Sequence, residues 1–339
     1  MKAVLEQLLD ARDLGSEVMT QTMRGIMAGE YTPAQVAGFL VALRCKGETV
    51  DEIAAAAKVM RELATPVSLS ERARKHLVDT CGTGGDASGI FNVSTAAAMV
   101  VAAAGGHVAK HGNRSVSSKF GSADVLESAG VKVSLDPDAV ARCVDEVGVG
   151  FMFAPGYHSA MKHAIGPRRD LGVRTVFNLL GPLTNPAAAP CQVIGVFSGA
   201  WCTPIAEVMQ RLGSEHVMVV HGQDGLDEIS PVQPTRVAEL RMGEVRTYTI
   251  EPATFGVTAH SLQPLRAASA EESRDMIQQA LGGRAGSVAD MIALNAGAGI
   301  YVAGLASTMA DGVNRAREVL AAGTALDTLK RLARLSQQL

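Results

Sequence analysis

The chain has 339 residues, a length that suits about two domains, and its 47% hydrophobic and 19% charged residues support a large core and exclude wholesale disorder. A formal net charge of -3 predicts no nucleic-acid partner, since that footprint needs a basic domain. Five cysteines, an odd number with none at Cys-x-x-Cys spacing, exclude a disulfide framework or structural zinc site and point to a reducing compartment.

Residues 1–10 carry acids where a signal peptide has an apolar run, and apolar stretches such as 96–104 are too short to span a bilayer. A cytoplasmic chain with no membrane partner is the expectation. Residues 1–64 read as helix only, a small helical domain. Ser16-Glu17 can open one helix. Thr32-Pro33-Ala34-Gln35 opens another, with Thr as N-cap, Pro at the first helical position and Gln three residues on. Its apolar positions Val36, Phe39, Leu40 and Leu43 recur at helical spacing up to Gly47. Thr49-Val50-Asp51-Glu52 is a second capping box, leading through Ile53, Ala56, Ala57 and Met60.

Beyond Thr65-Pro66 the pattern changes to strands alternating with helices. Strands are expected at 77–81, 107–110, 131–133, 150–153, 193–197 and 217–220, with an apolar helix over 95–104. This alternation predicts an α/β fold: a larger domain over 76–339 with a mainly parallel sheet flanked by helices, and a further helical contribution near 158–180.

Gly82-Thr83-Gly84-Gly85-Asp86 follows the first strand, and Asn92-Val93-Ser94-Thr95 opens the next helix. Glycines let backbone N–H groups approach a ligand, and a helix N-terminus adds unpaired N–H groups and the positive end of its dipole. Together they suit a phosphate or pyrophosphate. Ser94 and Thr95 can cap the helix, and the Ser94 hydroxyl could meet a metal. A tight turn with an ordinary cap would use the same residues. Gly82-x-Gly84-x-x-Ala87 has the letters of a dinucleotide fingerprint, but the next strand ends in Lys110-His111 where an acid should meet a ribose. There is no Gly-Lys-Ser/Thr of an NTPase loop.

Lys110-His111-Gly112-Asn113-Arg114-Ser115-Val116-Ser117-Ser118-Lys119 comes directly after that strand. Three cations, an imidazole and three hydroxyls in one loop suit a phosphorylated sugar, although a solvated surface loop is the alternative. Asp227-Glu228 follows the strand at 217–220, and adjacent acids at that edge of a sheet read as an oxygen-only magnesium pair, or alternatively as surface acids.

These blocks jointly resemble the anthranilate phosphoribosyltransferases. The likeness runs on through Gly121-Ser122-Ala123-Asp124, Phe151-Met152-Phe153-Ala154-Pro155, His158, Arg168, Arg174-Thr175, Phe177 to Pro186, Gly225-Leu226-Asp227-Glu228 and Leu294-Asn295-Ala296-Gly297, so it covers nearly the whole chain. The resemblance implies the nucleoside phosphorylase/phosphoribosyltransferase type of architecture, with the site in the cleft between a helical and an α/β domain. It implies a homodimer joined through the helical domains, and transfer of a phosphoribosyl group from 5-phosphoribosyl 1-pyrophosphate to anthranilate in tryptophan biosynthesis. It assigns the donor to Gly82, Gly85, Asp86, Asn92, Val93, Ser94, Thr95, Lys110, His111, Gly112, Asn113, Arg114, Ser115, Val116, Ser117, Ser118 and Ser122. It assigns Mg2+ to Ser94, Asp227 and Glu228, and anthranilate to Gly82, Asn113 and Arg168. Pro167, just before that arginine, suits the first turn of a helix.

Three positions depart from the family pattern. Ile90 replaces a common hydroxyl, Phe120 replaces a small residue and must pack inward or narrow the loop, and 265–268 lacks a Gly-Gly. No general acid or base is assigned, since an aromatic amine is neutral at pH 7; His111 and His158 read as packing or positioning residues. A pyrimidine nucleoside phosphorylase and a non-catalytic nucleic-acid-binding relative are the rival readings. The glycine loop and the acidic pair disfavour the first, and the net charge disfavours the second.

Overall fold

Helices come first, and two of the four are opened by capping boxes in the sequence. The computed structural model describes residues 1–114 and 120–339. It opens with α1 (Lys2–Leu9), α2 (Gly15–Ala28), α3 (Pro33–Lys46) and α4 (Val50–Leu63). Both capping boxes form. Thr32 Oγ1 accepts from Gln35 N at 3.3 Å while Gln35 Oε1 accepts from Thr32 N at 3.0 Å; Thr49 and Glu52 repeat this at 3.2 and 2.8 Å. Each box satisfies N–H groups that a helix start leaves open. Glu52 also accepts from Leu14 N at 2.9 Å and from Lys46 Nζ at 2.8 Å, tying α4 to α3 and to the start of α2.

After α5 (Glu71–Arg74) the chain builds a seven-stranded sheet: β1 (Leu77–Gly82), β2 (His107–Gly112), β3 (Val149–Phe153), β4 (Cys191–Gly195), β5 (His216–Gly222), β6 (Thr235–Arg241) and β7 (Glu244–Ile250). The order is β3-β2-β1-β4-β5-β6-β7; the first five strands pair parallel and the last two antiparallel. The chain moves outward from β1 to β3 and then returns to β4 on the other side. The strand order therefore reverses between β1 and β4, and ligands of open α/β sheets bind beyond the carboxyl ends at such a switch point.

The sheet is covered on both faces. One cover holds α6 (Val93–Ala103), α7 (Ser122–Ser128), α8 (Pro137–Val147), α13 (Ala270–Leu281), α14 (Ser287–Val302), α15 (Met309–Ala321) and α16 (Thr324–Gln338), whose buried residues cluster with Val193, Met218 and Val220. The other holds α10 (Lys162–Leu171), α11 (Val176–Leu180) and α12 (Cys202–Arg211), against Ile194, Val217 and Val219. The alternation along β4 and β5 is the period of two that a strand imposes. The core of α1 to α4, with Met19, Met23, Phe39 and Ile53 fully buried, is continuous with this second cluster. A short helix, α9 (Ala154–Tyr157), follows β3. Among the described residues no helix is long and apolar enough to cross a membrane.

Four local expectations need correction. Residues 131–133 are not a strand: Val131 and Val133 are buried, but Lys132 N donates to Ser336 Oγ at 3.0 Å instead of to a ladder. The β6–β7 hairpin is absent from the expected strands. Most of β7 is exposed and polar, and its turn puts Met242 at φ 53° beside Gly243 at φ 76°, a conformation that usually advertises itself with Asn-Gly. The apolar helix starts at Val93, with Asn92 as N-cap, so Ser94 and Thr95 lie within the first turn and do not cap it. Pro167 sits inside α10, which begins five residues earlier at Lys162, and is not at its first turn.

Candidate active site

A cavity of ≈ 1470 Å³ opens at the switch point, where Gly82 of β1 pairs with Gly195 of β4. It exceeds the roughly 300–1,000 Å³ of a single small-molecule site, so it has room for two substrates at once. Its walls are the glycine loop, the start of α6, the end of β2, α10, α11 and Asp227-Glu228.

The glycine loop is held from both sides. Thr83 N donates to Gly195 O at 2.8 Å, and Thr83 Oγ1 accepts from Phe197 N at 3.0 Å. Gly84 and Gly85 follow at φ 63° and 85°, a backbone that a side chain would strain. Arg174 donates to Gly85 O at 3.1 Å and lies 4.5 Å over the Phe197 ring, while Arg44 of α3 donates to Arg174 O at 2.5 Å. The helical part of the molecule thus reaches the loop through one arginine. Asn92, at the start of α6, is fixed by Ser273 of α13: its N–H donates to Ser273 Oγ at 3.0 Å, and that hydroxyl donates to Asn92 Oδ1 at 3.2 Å.

Electrostatics concentrate where α6 begins. Ser94 N donates to Glu228 Oε1 at 3.2 Å, and Ser94 Oγ accepts from Lys110 Nζ at 3.2 Å. Lys110 also donates to the Thr80 carbonyl and is buried. It ends the strand expected at 107–110, and His111 also belongs to β2 because that strand runs two residues further than expected. Burial lowers the Lys110 pKa, opposed by Asp79, Cys81 and Glu228. Burial and the neighbouring Asp86 carboxyl, with which it shares a hydrogen bond, push Asp227 up to about 7. Glu228 is held well above the usual carboxylate range by burial and then by Asp227, with Lys110 opposing. Three carboxyl groups therefore crowd together, with the Lys110 ammonium acting on Glu228, and a bound cation would favour their ionised forms. Among the described residues no group of three or more His, Cys, Asp or Glu side chains is arranged to hold a metal by itself. A hard ion here would draw its remaining oxygens from a bound phosphate and water, as Mg2+ commonly does.

Beneath the site, Asp79 is fully buried, accepts from Asn185 Nδ2 at 2.7 Å and from His111 N at 3.3 Å, and is raised to about 6 by burial. It is the charged residue of an otherwise apolar strand start, a signal present in the sequence though not among the residues expected at the site.

The opposite wall is built differently. Arg168 of α10 stacks over Phe177 at 5.1 Å, and among the described residues its guanidinium has no carboxylate or hydrogen-bond partner. Burial lowers its pKa. Arg169 faces solvent, 3.7 Å from Asp170. His111 and His158 face each other with ring centroids 5.0 Å apart. Burial depresses them to about 3 and about 4, the former also through its neighbour, so both are neutral at pH 7. The Nε2 atom of each is buried without a partner.

The structure brings together Gly82, Gly85, Asp86, Asn92, Val93, Ser94, Lys110, His111, Gly112, Asn113, Arg114, Ser122, Arg168, Asp227 and Glu228 around this one cavity. Thr95 is not on its wall; its hydroxyl is buried without a hydrogen-bond partner. Arg114 lines the cavity but its charge is engaged, by Asp124 at 2.5 Å and Glu127 at 2.7 Å. Asn113 Oδ1 accepts from Arg114 N at 2.8 Å, and its carbonyl accepts from Ser122 Oγ at 3.2 Å. Ser115, Val116, Ser117, Ser118 and Lys119 lie outside the described residues. Phe120 packs inward, 8% exposed. Ile90 bridges to Arg266, so the segment lacking Gly-Gly forms part of the same wall. Arg174 and Asn185, which the resemblance included without a role, and Ser273, which was not singled out, support the site through contacts 76 or more residues away in the chain.

Comparison with known proteins agrees with this geometry. Residues 2–64 match the model of the glycosyl transferase family helical bundle domain, and residues 74–326 that of the glycosyl transferase family a/b domain. The anthranilate phosphoribosyltransferase of Cellvibrio japonicus is 59% identical, the match covering 100% of this chain and 99% of the relative. That of Thioalkalivibrio sulfidiphilus is 59% identical, covering 98% and 97%. The crystal structure of the enzyme from Thermus thermophilus superposes with a TM-score of 0.92 at 44% identity, over 98% of this chain and 99% of that one. The Saccharomyces cerevisiae enzyme in complex with PRPP and Mg superposes with a TM-score of 0.88 at 26% identity, over 100% and 98%.

Proposed function

The chain belongs to the anthranilate phosphoribosyltransferase family, and on that premise we infer how its own residues carry the reaction. It transfers the phosphoribosyl group of 5-phosphoribosyl 1-pyrophosphate to the amino group of anthranilate, giving N-(5-phosphoribosyl)anthranilate and pyrophosphate, in tryptophan biosynthesis.

The pyrophosphate is assigned to the backbone of the glycine loop and of the first turn of α6, where a helix start turns N–H groups and the positive end of its dipole toward an anion. Lys110, beside Ser94, adds a fixed positive charge at the same end. The donor set of Asp227, Glu228 and the Ser94 hydroxyl fits Mg2+, since it is all oxygen and carries crowded negative charge. When bound, the metal supplies charge neutralisation of the leaving pyrophosphate. The loop over 110–118, with Ser122, is assigned to the ribose phosphate, Lys110 to Arg114 and Ser122 being its described part.

Anthranilate is assigned to the opposite wall. The unpaired Arg168 guanidinium would take its carboxylate with two parallel hydrogen bonds, and Asn113 and the backbone of Gly82 would orient its ring and amine. The amine needs no general base, and both neutral histidines are compatible with that. Substitution at C1 develops positive charge in an oxocarbenium-like state, as in glycosyl transfer generally. The protein's work is positioning and electrostatics.

The observation that carries this reading is the crowding of Asp86, Asp227 and Glu228 against the start of α6, on one side of a cavity whose other side holds an unpaired arginine. The experiment that tests it is loss of anthranilate fluorescence, with and without Mg2+, for the parent and for Asp227→Asn/Glu228→Gln. A cytoplasmic homodimer joined through α1 to α4 completes the proposal, supported by the apolar side chains those helices leave exposed, Leu9, Val41 and Leu63.

A further inference from the structure

The segment Leu294-Asn295-Ala296-Gly297 contributes nothing to the cavity wall, yet it contains a buried amide whose hydrogen bonds reach the backbone directly after the acidic pair. Asn295 stands in the middle of α14, in a run where Met291 to Val302 are all buried. An amide in such a place is costly unless its hydrogen bonds are made. Asn295 makes three. Its Oδ1 accepts from Ile229 N at 2.8 Å, and its Nδ2 donates to Ile229 O at 3.0 Å and to Met291 O at 2.9 Å. It therefore grips both backbone groups of the residue that follows Glu228.

The other side of the acidic pair is fixed as firmly. Leu226 O accepts from Gly222 N at 2.9 Å, closing the turn that leads into Asp227. The Asp227 backbone then presses on Gly195, where a Cβ would overlap the Asp227 carbonyl. Asp227 and Glu228 are thus seated between a strand end that admits only glycine and an amide clamp from a buried helix. Both act on the backbone and so determine where it carries the pair's side chains.

We propose that Asn295 is the positioning residue for the magnesium pair, fixing the backbone that carries Asp227 and Glu228 beside the start of α6, where they would hold the metal. This rests on the assignment of Mg2+ to that pair. Partners that orient metal ligands typically contribute 10- to 100-fold in metal affinity. Removing the clamp should therefore weaken the metal's share of donor binding, while the phosphate contacts of the glycine loop and the anthranilate wall stay as they are.

The test measures 5-phosphoribosyl 1-pyrophosphate binding by titration calorimetry, once with Mg2+ and once with EDTA, for the parent, Asn295→Ala and Asp227→Asn/Glu228→Gln. The expected result for Asn295→Ala is a fall of about tenfold or more in the ratio of the two affinities. The affinity in EDTA and the KM for anthranilate should be nearly unchanged. A general loosening of the fold would weaken both affinities alike, and a ratio equal to the parent's would overturn the proposal. If the double variant keeps the parent's ratio, the metal assignment itself falls. If the double variant loses the ratio and Asn295→Ala keeps it, only the role of Asn295 falls. Should Asn295→Ala fail to fold, Asn295→Ser is read the same way, and an unchanged ratio there would make Asn295 a folding residue alone.

Discussion

Arg168 and Arg169 are neighbours that a sequence cannot tell apart by type, and the fold separates them completely. One turns into the cleft over Phe177; the other stands in solvent beside Asp170. Losing a charge-assisted carboxylate contact in a partly desolvated cleft costs on the order of 2–3 kcal/mol. Arg168→Ala should therefore lower kcat/KM for anthranilate by roughly 30- to 150-fold. Arg169→Ala should do little, and 2-aminobenzamide, which lacks the carboxylate, should be nearly indifferent to Arg168→Ala. Equal losses for acid and amide would reject the assignment. The histidines carry a second consequence at this scale. His111 and His158 have folded-state pKa values of about 3 and about 4, below the ordinary imidazole value of 6.5. Above pH 6.5 they are neutral in both states and cost nothing. As pH falls below 6.5, the unfolded chain takes up two protons that the folded chain refuses, and stability drops by about 1.4 kcal/mol per pH unit for each histidine. The loss continues down to about pH 4 for His158 and about pH 3 for His111. Asp79, raised to about 6, acts in the opposite sense, so the comparison must be internal: His111→Asn/His158→Asn should show a flatter acid limb of melting temperature against pH than the parent. Identical limbs would mean that the rings are protonated in the fold.

At the scale of elements, legibility followed how local the cause was. The two capping boxes could be read because each is closed within four residues, and both form. The hairpin of β6 and β7 could not, since its outer strand lacks an apolar face and its turn lacks the usual residues. Residues 131–133 misled for the converse reason: a short apolar run looks the same whether it pairs in a ladder or is simply buried. Glu52 joins the local to the non-local. It is N3 of a capping box and also the buried partner of Lys46, with side chains 0% and 3% exposed. Glu52→Ala should cost about 3 kcal/mol in urea unfolding, because it leaves an ammonium buried with only Asp13 for company. Glu62→Ala, which breaks the exposed pair with Arg24, should cost less than about 1 kcal/mol. Similar costs for the two would show that Lys46 escapes to water.

For the whole molecule, alternation of strands and helices announced a parallel sheet, but strand order is a set of long-range pairings that no window of sequence contains. It is the reversal between β1 and β4 that gathers the glycine loop, the basic end of β2 and Asp227-Glu228 into one cavity, though they are spread from residue 82 to residue 228. The three blocks were visible in the sequence as chemistry; their meeting place was not. The same scale decides assembly. The apolar side chains left outside by α1, α3 and α4, with Leu9 76% exposed, fit burial against a second copy. Light scattering at micromolar concentration should give twice the 35.3 kDa mass of the chain, and a monomer would reject the dimer. The central claim is that the cleft joins anthranilate to a phosphoribosyl donor through the acidic pair at the sheet edge. Its most direct measurement follows anthranilate fluorescence after addition of 5-phosphoribosyl 1-pyrophosphate and Mg2+. The account expects the signal to fall with one pyrophosphate released per anthranilate consumed, EDTA to stop it, and Asp227→Asn/Glu228→Gln to lose the magnesium-dependent rate while remaining folded. A parent protein that leaves anthranilate untouched, or a double variant with an unchanged response to magnesium, would contradict it.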